Sequence, residues 1–289
     1  MRDLPVERIV TRTSTLRVES LSLGVKRIVL ARPDARNALD ETMIDELRDV
    51  LDHLATIPDP EQMRLLLVAG EGKVFCSGAD LGYMKRLAGK SLQESFEDAK
   101  GLASLYYKLA DFPTPVIAVV QGAAIGGGLG LTVASDFVLA EESAAFATSE
   151  VLLGIVPGVI SPYIVRKIGL AAAAPLMLTG RRISGSEATA SGLVTKAVPG
   201  PELENALQEI VLDFLAAGPE AQRRTKELLK RAQPLPGPEL IDFTAEAIAY
   251  ARCSPEGKKG LEAFFSKAPP AWAARVEALR KSSRGGLKN

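Results

Sequence analysis

Short apolar runs alternate with stretches of helical periodicity from residue 16 to about residue 198. The apolar runs predict β-strands because each is short and rich in Val, Ile or Leu. They lie at 16–20, 27–30, 65–69, 116–120 and 137–140. The run at 65–69 is apolar at every position, which is typical of a strand covered on both faces. A helix is predicted over 40–57, and the alternation as a whole predicts an α/β domain.

The pattern changes at Val198, where the sequence Val-Pro-Gly-Pro interrupts it. Beyond this break only helical periodicity is found, and Gly and Pro divide it into segments. The predicted helices are 203–217, 219–232, 238–253 and 255–267. Residues 1–14 show no clear pattern and are predicted to form a flexible extension, and the polar end from Arg280 is predicted to be disordered. We therefore expect an extension at 1–14, an α/β core at 15–200 and a helical region at 201–289.

Three consecutive glycines, Gly126, Gly127 and Gly128, follow the strand predicted at 116–120 and precede a helical run at 131–135. A strand that turns through glycine into a helix presents bare backbone N–H groups at the positive end of a helix dipole. Glycine also allows a ligand to approach the main chain closely. This turn therefore predicts a site for an anion, or for an oxygen that becomes one. The alternative is a tight turn that only packs a helix on the sheet.

Two common phosphate-binding motifs do not fit this turn. The dinucleotide motif G-x-G-x-x-G would need glycine at position 131 or 133, where the chain has Leu131 and Val133. The P-loop would need Lys and then Ser or Thr after its last glycine, but Gly128 is followed by Leu129.

A second turn of small residues, around Ser77, Gly78 and Ala79, follows the strand at 65–69 and precedes a helical run at 82–87. Two such turns on one sheet could supply two N–H donors to a single oxygen. A donor that is preorganised toward a developing oxyanion contributes about 2.7–4 kcal/mol to catalysis.

A carboxylate suited to proton transfer is found at Glu150, which small and apolar residues flank. No basic residue occurs between Ala140 and Arg166. Burial without a cation raises the pKa of a carboxyl group, which makes it an effective proton shuttle near neutral pH. The alternative is an exposed glutamate at the start of a helix.

These segments together resemble the enoyl-CoA hydratase/isomerase (crotonase) superfamily in their order and spacing. The resemblance extends to the loop at 32–39, the connector at 179–194 and the helix at 256–264, and it covers about residues 15–275. It implies a spiral of β-β-α turns with a C-terminal helical trimerisation region, and hence a homotrimer or a dimer of trimers. It also implies an acyl-CoA thioester as substrate, with no cofactor beyond the coenzyme A of that substrate.

The resemblance also implies roles for individual residues. The backbone N–H groups of Ala79 and Gly127 correspond to the oxyanion hole, and Glu150 corresponds to the second of two acid/base glutamates. The first glutamate falls on Gly130, which has no side chain. The residues implied in binding substrate or coenzyme A are Arg36, Ala38, Ser77, Ala79, Asp80, Leu81, Gly126, Gly127, Pro157, Phe264 and Lys267.

The glycine at position 130 leaves the reaction type open. Moving a double bond needs a single base, which favours an isomerase. The stretches 80–89 and 156–163, however, resemble those of bacterial methylglutaconyl-CoA hydratases. The leading hypothesis is therefore hydration of a short, branched 2-enoyl-CoA such as 3-methylglutaconyl-CoA. The alternatives are an enoyl-CoA isomerase and a non-catalytic protein that binds acyl-CoA or an acyl carrier.

Charge and composition exclude several other classes of function. The 35 basic and 35 acidic residues cancel, so a nucleic acid or an acidic membrane is not expected as a partner. No apolar stretch is long enough to span a membrane, and the first residues do not resemble a signal peptide. Cys76 and Cys253 are expected to be reduced thiols of a cytoplasmic protein. The single histidine, His53, cannot build a two-histidine metal site, and no metal is expected.

Overall fold

The strands form a large sheet and a small one in the computed structural model, which describes residues 5–59, 61–231 and 254–285. The large sheet has seven strands in the order β1-β2-β3-β4-β5-β7-β10, and the small one has the order β6-β8-β9. The strands are β1 Val6–Arg12, β2 Leu16–Leu21, β3 Val25–Leu30, β4 Leu65–Gly70, β5 Val116–Val120, β6 Ala123–Ile125, β7 Phe137–Glu141, β8 Ala145–Ala147, β9 Ile183–Ser184 and β10 Lys196–Val198.

The helices lie between the strands as far as β10 and then follow one another. They are α1 Glu41–Ala55, α2 Leu81–Leu87, α3 Leu92–Ala110, α4 Gly127–Val133, α5 Ser161–Thr179, α6 Gly185–Ala190, α7 Leu203–Ala216, α8 Pro219–Arg231, α9 Pro255–Phe265 and α10 Ala271–Gly285. The α/β class predicted from the alternation is confirmed. The helix predicted at 238–253 lies outside the described residues.

The central strands are apolar along their whole length because helices cover both faces of the large sheet. Leu66 and Val68 of β4 join the core beneath α1 and α3. Leu65 and Leu67, which point the other way, join a second core with α7. Strands β3, β4, β5, β7 and β10 pair in parallel, so their carboxyl ends meet at one edge of the sheet.

The first and the last of the described segments are more ordered than their composition predicts. The extension predicted at 1–14 contains β1, which pairs antiparallel with β2 although its side chains are mostly exposed. Main-chain hydrogen bonds to a sheet edge therefore order this segment, and its side-chain pattern carries little sign of them. At the other end, α10 continues past Arg280 because Val276 is fully buried against α7.

A buried arginine joins the helical region to the sheet. Arg64, just before β4, donates from its guanidinium to the carbonyls of Leu215, at 2.8 Å, and Ala217, at 2.9 Å. These carbonyls lie at the end of α7, where no further turn of the helix supplies N–H donors for them. The contact lies at the amino end of β4.

Within the described part of the chain, no helix has the length and hydropathy needed to cross a membrane.

Candidate active site

Main-chain hydrogen bonds join the two turns singled out in the sequence. The N–H of Cys76 donates to the carbonyl of Ala123 at 3.0 Å, and the N–H of Ile125 donates back to the carbonyl of Cys76 at 3.1 Å. Gly128 packs so closely on Cys76 that a Cβ at position 128 would lie 2.6 Å from the Cys76 carbonyl oxygen. The absence of a side chain at Gly128 therefore lets the two turns meet.

The first turn leaves the backbone of Ala79 accessible. Leu39 pairs with the two residues that flank Ala79. Its N–H donates to the carbonyl of Gly78, and its carbonyl accepts from the N–H of Asp80, both at 2.8 Å. Ala79 itself is exposed. The Asp80 carboxylate caps α2 by accepting from the N–H of Gly82 at 2.8 Å. Capping stabilises the helix that directly follows the turn.

The second turn begins α4 at Gly127. The residue before it, Gly126, has φ 50° and ψ −116°, and no side chain caps the helix. The first N–H groups of a helix have no acceptor inside that helix. Across residues 5–59, 61–231 and 254–285, no acceptor is found for the N–H of Gly127 or for that of Ala79. Two adjacent turns therefore each present an N–H donor.

Strand pairing brings Glu150 to the same place. Strands β6 and β8 pair in parallel, with Ile125 opposite Ala147, and the N–H of Gly126 donates to the Ala147 carbonyl at 2.9 Å. The carboxylate of Glu150 lies over Gly126, where an added Cβ would be 3.2 Å from its Oε1 atom. Gly126 follows β6 and Glu150 follows β8, and the two residues meet because these parallel strands end at the same edge of the small sheet.

The environment of Glu150 suits proton transfer. Its Oε2 atom is buried, and no hydrogen-bond partner lies near it among the residues that the structure describes. Burial raises the pKa of Glu150 above the ordinary glutamate value, and its own backbone N–H offsets part of this effect. The direction predicted from the flanking sequence is confirmed. A carboxylate beside the turn that carries such N–H donors can move a proton while the donors hold a negatively charged oxygen.

Position 130 has no side chain, and its neighbours leave too little space for a Cβ. A Cβ on Gly130 would lie 2.5 Å from Cζ of Tyr106 and 2.6 Å from Cγ2 of Ile160. Both of these side chains are buried. A side chain at this position would therefore require the Tyr106 ring or Ile160 to move.

Most of the other residues expected to bind coenzyme A surround the first turn. The exposed Arg36 has a left-handed backbone, φ 52°, and its carbonyl accepts from the N–H of Ser77 at 3.1 Å. Ala38 is buried, whereas Leu81, at the start of α2, is 76% exposed. Pro157, seven positions after Glu150, is buried.

Contacts with α8 position α9, the helix that contains Phe264 and ends just before Lys267. The Glu256 carboxylate of α9 accepts from the N–H groups of Glu220, at 2.9 Å, and Ala221, at 2.8 Å. Helix α8 is in turn held at the amino ends of β5 and β7, where Lys226 pairs with Asp136 at 2.6 Å. Lys267 lies just beyond α9 with φ 55°.

The sequence alone did not identify Tyr106 and Ile160 as residues of the site, or the contacts of Arg32 with Ala38 and Asp80. The Tyr106 hydroxyl donates to the Gly127 carbonyl at 2.9 Å. The guanidinium of Arg32 donates to the Ala38 carbonyl at 2.7 Å and pairs with Asp80 at 3.3 Å. Helical periodicity identifies Tyr106 as a core residue, but no local signal connects it with Gly127.

Among the described residues, no group of three His, Cys, Asp or Glu side chains could hold a metal ion.

Gly130→Ala should destabilise the protein by about 1–3 kcal/mol, because the new methyl group meets the Tyr106 ring and Ile160. Gly101→Ala in α3 is the matched control, since its Cβ would lie 3.7 Å from the nearest atom and alanine is favoured over glycine in a helix. Urea unfolding measures both variants. An equal stability of the two variants would show that position 130 has room for a side chain.

The chain matches known enzymes over most of its length. The model of the family described as "Enoyl-CoA hydratase/isomerase" matches residues 21–275. A relative named "Enoyl-CoA hydratase domain-containing protein 2, mitochondrial", from Mus musculus, is 33% identical over 277 residues, which are 92% of this chain and 90% of the relative.

Solved structures show the same fold. A crystal structure of an enoyl-CoA hydratase from Shewanella pealeana is 39% identical with a TM-score of 0.84, and the match covers 89% of this chain and 96% of that one. Pseudomonas aeruginosa AtuE is 35% identical with a TM-score of 0.86, covering 90% of this chain and 100% of that one. The resemblance inferred from the motifs is confirmed, and the chain belongs to the enoyl-CoA hydratase/isomerase (crotonase) family.

Proposed function

We propose that this protein hydrates the 2,3-double bond of an enoyl-CoA, with Glu150 as its only acid/base residue. The observation that carries the proposal is the position of the Glu150 carboxylate over Gly126, next to the free N–H of Gly127. The Ala79 N–H supplies the second donor to the thioester oxygen. The names of the relatives, an enoyl-CoA hydratase and an enoyl-CoA hydratase domain-containing protein, support this type of reaction.

In this mechanism Glu150 removes a proton from a water molecule, and the resulting hydroxide forms a bond to C3 of the enoyl group. The π electrons of the double bond move toward the thioester, whose oxygen becomes the negatively charged oxygen of an enolate. The N–H groups of Ala79 and Gly127 stabilise that charge where it develops. Glu150 then returns its proton to C2, so that one water is added and the carboxylate is regenerated.

The acyl group proposed is short and branched, such as 3-methylglutaconyl. This part rests on the resemblance of 80–89 and 156–163 to methylglutaconyl-CoA hydratases. The second of these stretches contains the buried Pro157 and Ile160, and Ile160 packs over Gly130.

The closed position at Gly130 favours a second candidate, an enoyl-CoA isomerase. With one carboxylate, Glu150 would remove a proton from C2 of a 3-enoyl-CoA and return it to C4. The double bond would move into conjugation, and no water would be added. A side chain at position 130 would meet the Tyr106 ring and Ile160, so no second carboxylate stands there to activate a water molecule.

Product analysis decides between the two reactions. The protein is incubated separately with a 2-enoyl-CoA, a 3-enoyl-CoA and 3-methylglutaconyl-CoA, and conjugation is followed by absorbance and the product by mass. A gain of one water from a 2-enoyl-CoA supports the hydratase, and a shifted double bond with unchanged mass supports the isomerase. Binding of all three without any turnover would instead identify a non-catalytic acyl-CoA-binding protein.

Glu150→Gln should lower kcat at least about a hundredfold in either reaction, since it removes the proton-transfer group. Glu142→Gln is the matched control, because Glu142 is an exposed carboxylate in the turn after β7. Steady-state kinetics on the substrate found by product analysis give the comparison. Similar kcat values for the two variants would place the proton shuttle elsewhere.

The stability of the protein should also report the pKa of Glu150. Because burial raises the pKa in the folded state, folding favours the protonated carboxyl group. The stability this contributes is complete below the unfolded pKa, near the ordinary value of 4.5, and is lost as the pH rises through the folded pKa. Glu150→Gln cannot ionise, so its free energy of unfolding should exceed that of the wild type at neutral pH but not at about pH 4. A difference that is the same at both pH values would contradict this.

We also propose that residues 201–275 join three chains, with Phe264 and Lys267 bordering a coenzyme A site in the assembly. Leu229 of α8 and Leu261 of α9 are 62% and 46% exposed in the single chain, which supports an interface there.

Light scattering at micromolar concentration should give the mass of a trimer or of two trimers. Leu229→Asp should weaken the assembly, whereas Leu92→Asp, at an exposed position on α3, should not. A monomeric wild type would contradict the proposal.

A further inference from the structure

The hydroxyl of Tyr106 makes the one side-chain hydrogen bond that the described residues offer to the glycine turn. Tyr106 belongs to α3 and has no exposed surface. Its hydroxyl donates to the carbonyl of Gly127 at 2.9 Å. Gly127 is also the residue whose N–H faces the proposed oxyanion, so this bond acts on the backbone of the donor residue itself.

The glycine turn needs such an anchor. Gly126, Gly127 and Gly128 have no side chains that could pack and hold the backbone in one conformation, and glycine has the largest backbone freedom of any residue. No side chain caps α4. The main-chain bond from Gly126 to Ala147 holds the residue before the donor. Tyr106 holds Gly127, the residue that carries the donor N–H.

The Tyr106 ring is itself held rigidly. It packs on Gly130, where an added Cβ would be 2.5 Å from its Cζ atom. The ring of Tyr163 meets it edge to face, with centroids 6.2 Å apart. Burial, with Cys76 and Glu150 nearby, raises the pKa of Tyr106 well above its usual value, so the hydroxyl remains a donor over the working pH range.

We propose that Tyr106 is a positioning residue, whose hydroxyl holds the Gly127 carbonyl and thereby aims the Gly127 N–H at the thioester oxygen. The missing side chain at Gly130 is what allows the ring to reach this place. The inference rests on the proposed oxyanion site, but it holds equally for hydration and for isomerisation. Tyr106 does not touch the substrate in this role.

Tyr106→Phe tests the proposal, because it removes the hydroxyl and keeps the ring that packs on Gly130. We expect kcat to fall about tenfold, the effect of losing one hydrogen bond that supports the transition state, with KM changed less than about twofold. The second measurement uses acetoacetyl-CoA, whose enolate absorbs in the near ultraviolet. The wild type should raise the enolate fraction of the bound ligand, and Tyr106→Phe should raise it less.

Two control variants separate positioning from packing. Tyr107→Phe removes a hydroxyl from the next residue of α3, which is 62% exposed, and should behave as the wild type. Ile160→Val removes one methyl group from the same wall over Gly130 but leaves the hydrogen bond, so the enolate signal should stay at the wild-type level.

The outcomes are distinct. Wild-type kcat and enolate signal in Tyr106→Phe would overturn the proposal and leave the proposed function intact. A loss of kcat that follows the melting temperature, and that Ile160→Val reproduces, would also overturn it, since packing alone would then explain the effect. An absent enolate signal in the wild type would refute the oxyanion site itself, and the role of Tyr106 with it.

Discussion

The candidate site depends on the main-chain hydrogen bonds that align three separate segments. The bonds between Cys76, Ala123 and Ile125 place the Ala79 turn beside the glycine turn. The parallel pairing of β6 with β8 then carries Glu150 to Gly126. A change of register by one residue would turn each of these groups to the other face of its strand. Backbone pairing therefore determines the geometry of both the proposed donors and the proposed base.

Close packing explains why these segments consist of small residues. Gly128 lies against the backbone of Cys76, and Gly130 lies against the Tyr106 ring, at distances that no Cβ could tolerate. The same closeness leaves the N–H of Gly127 unshielded at the start of α4. One requirement, the close approach of backbone to backbone, thus produces both the glycine-rich sequence and the exposed donors.

The chemistry of the site follows from its single carboxylate. Glu150 is half-buried with its Oε2 atom enclosed, and this burial raises its pKa, so it exchanges a proton near neutral pH more readily than an exposed glutamate. The Cβ of a second acid at position 130 would meet Tyr106 and Ile160. Any reaction here must take and return its proton through one group, which both hydration and isomerisation allow when the enolate oxygen is held by N–H donors.

The sequence alone was sufficient for the α/β class, the central strands and the glycine turn, because each has a local cause. Apolar runs reflect burial on both faces of a sheet, and three glycines in a row reflect close packing. The sequence did not reveal β1, which depends on hydrogen bonds to β2. It also did not reveal the end of α10, which depends on burial of Val276 against α7.

The tertiary structure alone decided what fills the place of the missing carboxylate. Gly130 in the sequence indicates only that a side chain is lacking, and Tyr106 looks like any core residue of an amphipathic helix. Their contact joins positions 24 residues apart on two helices, so no local pattern records it. Only the packing of α3 on α4 brings the Tyr106 hydroxyl to the Gly127 carbonyl, since hydrogen bonds between distant residues depend on where the whole chain places them.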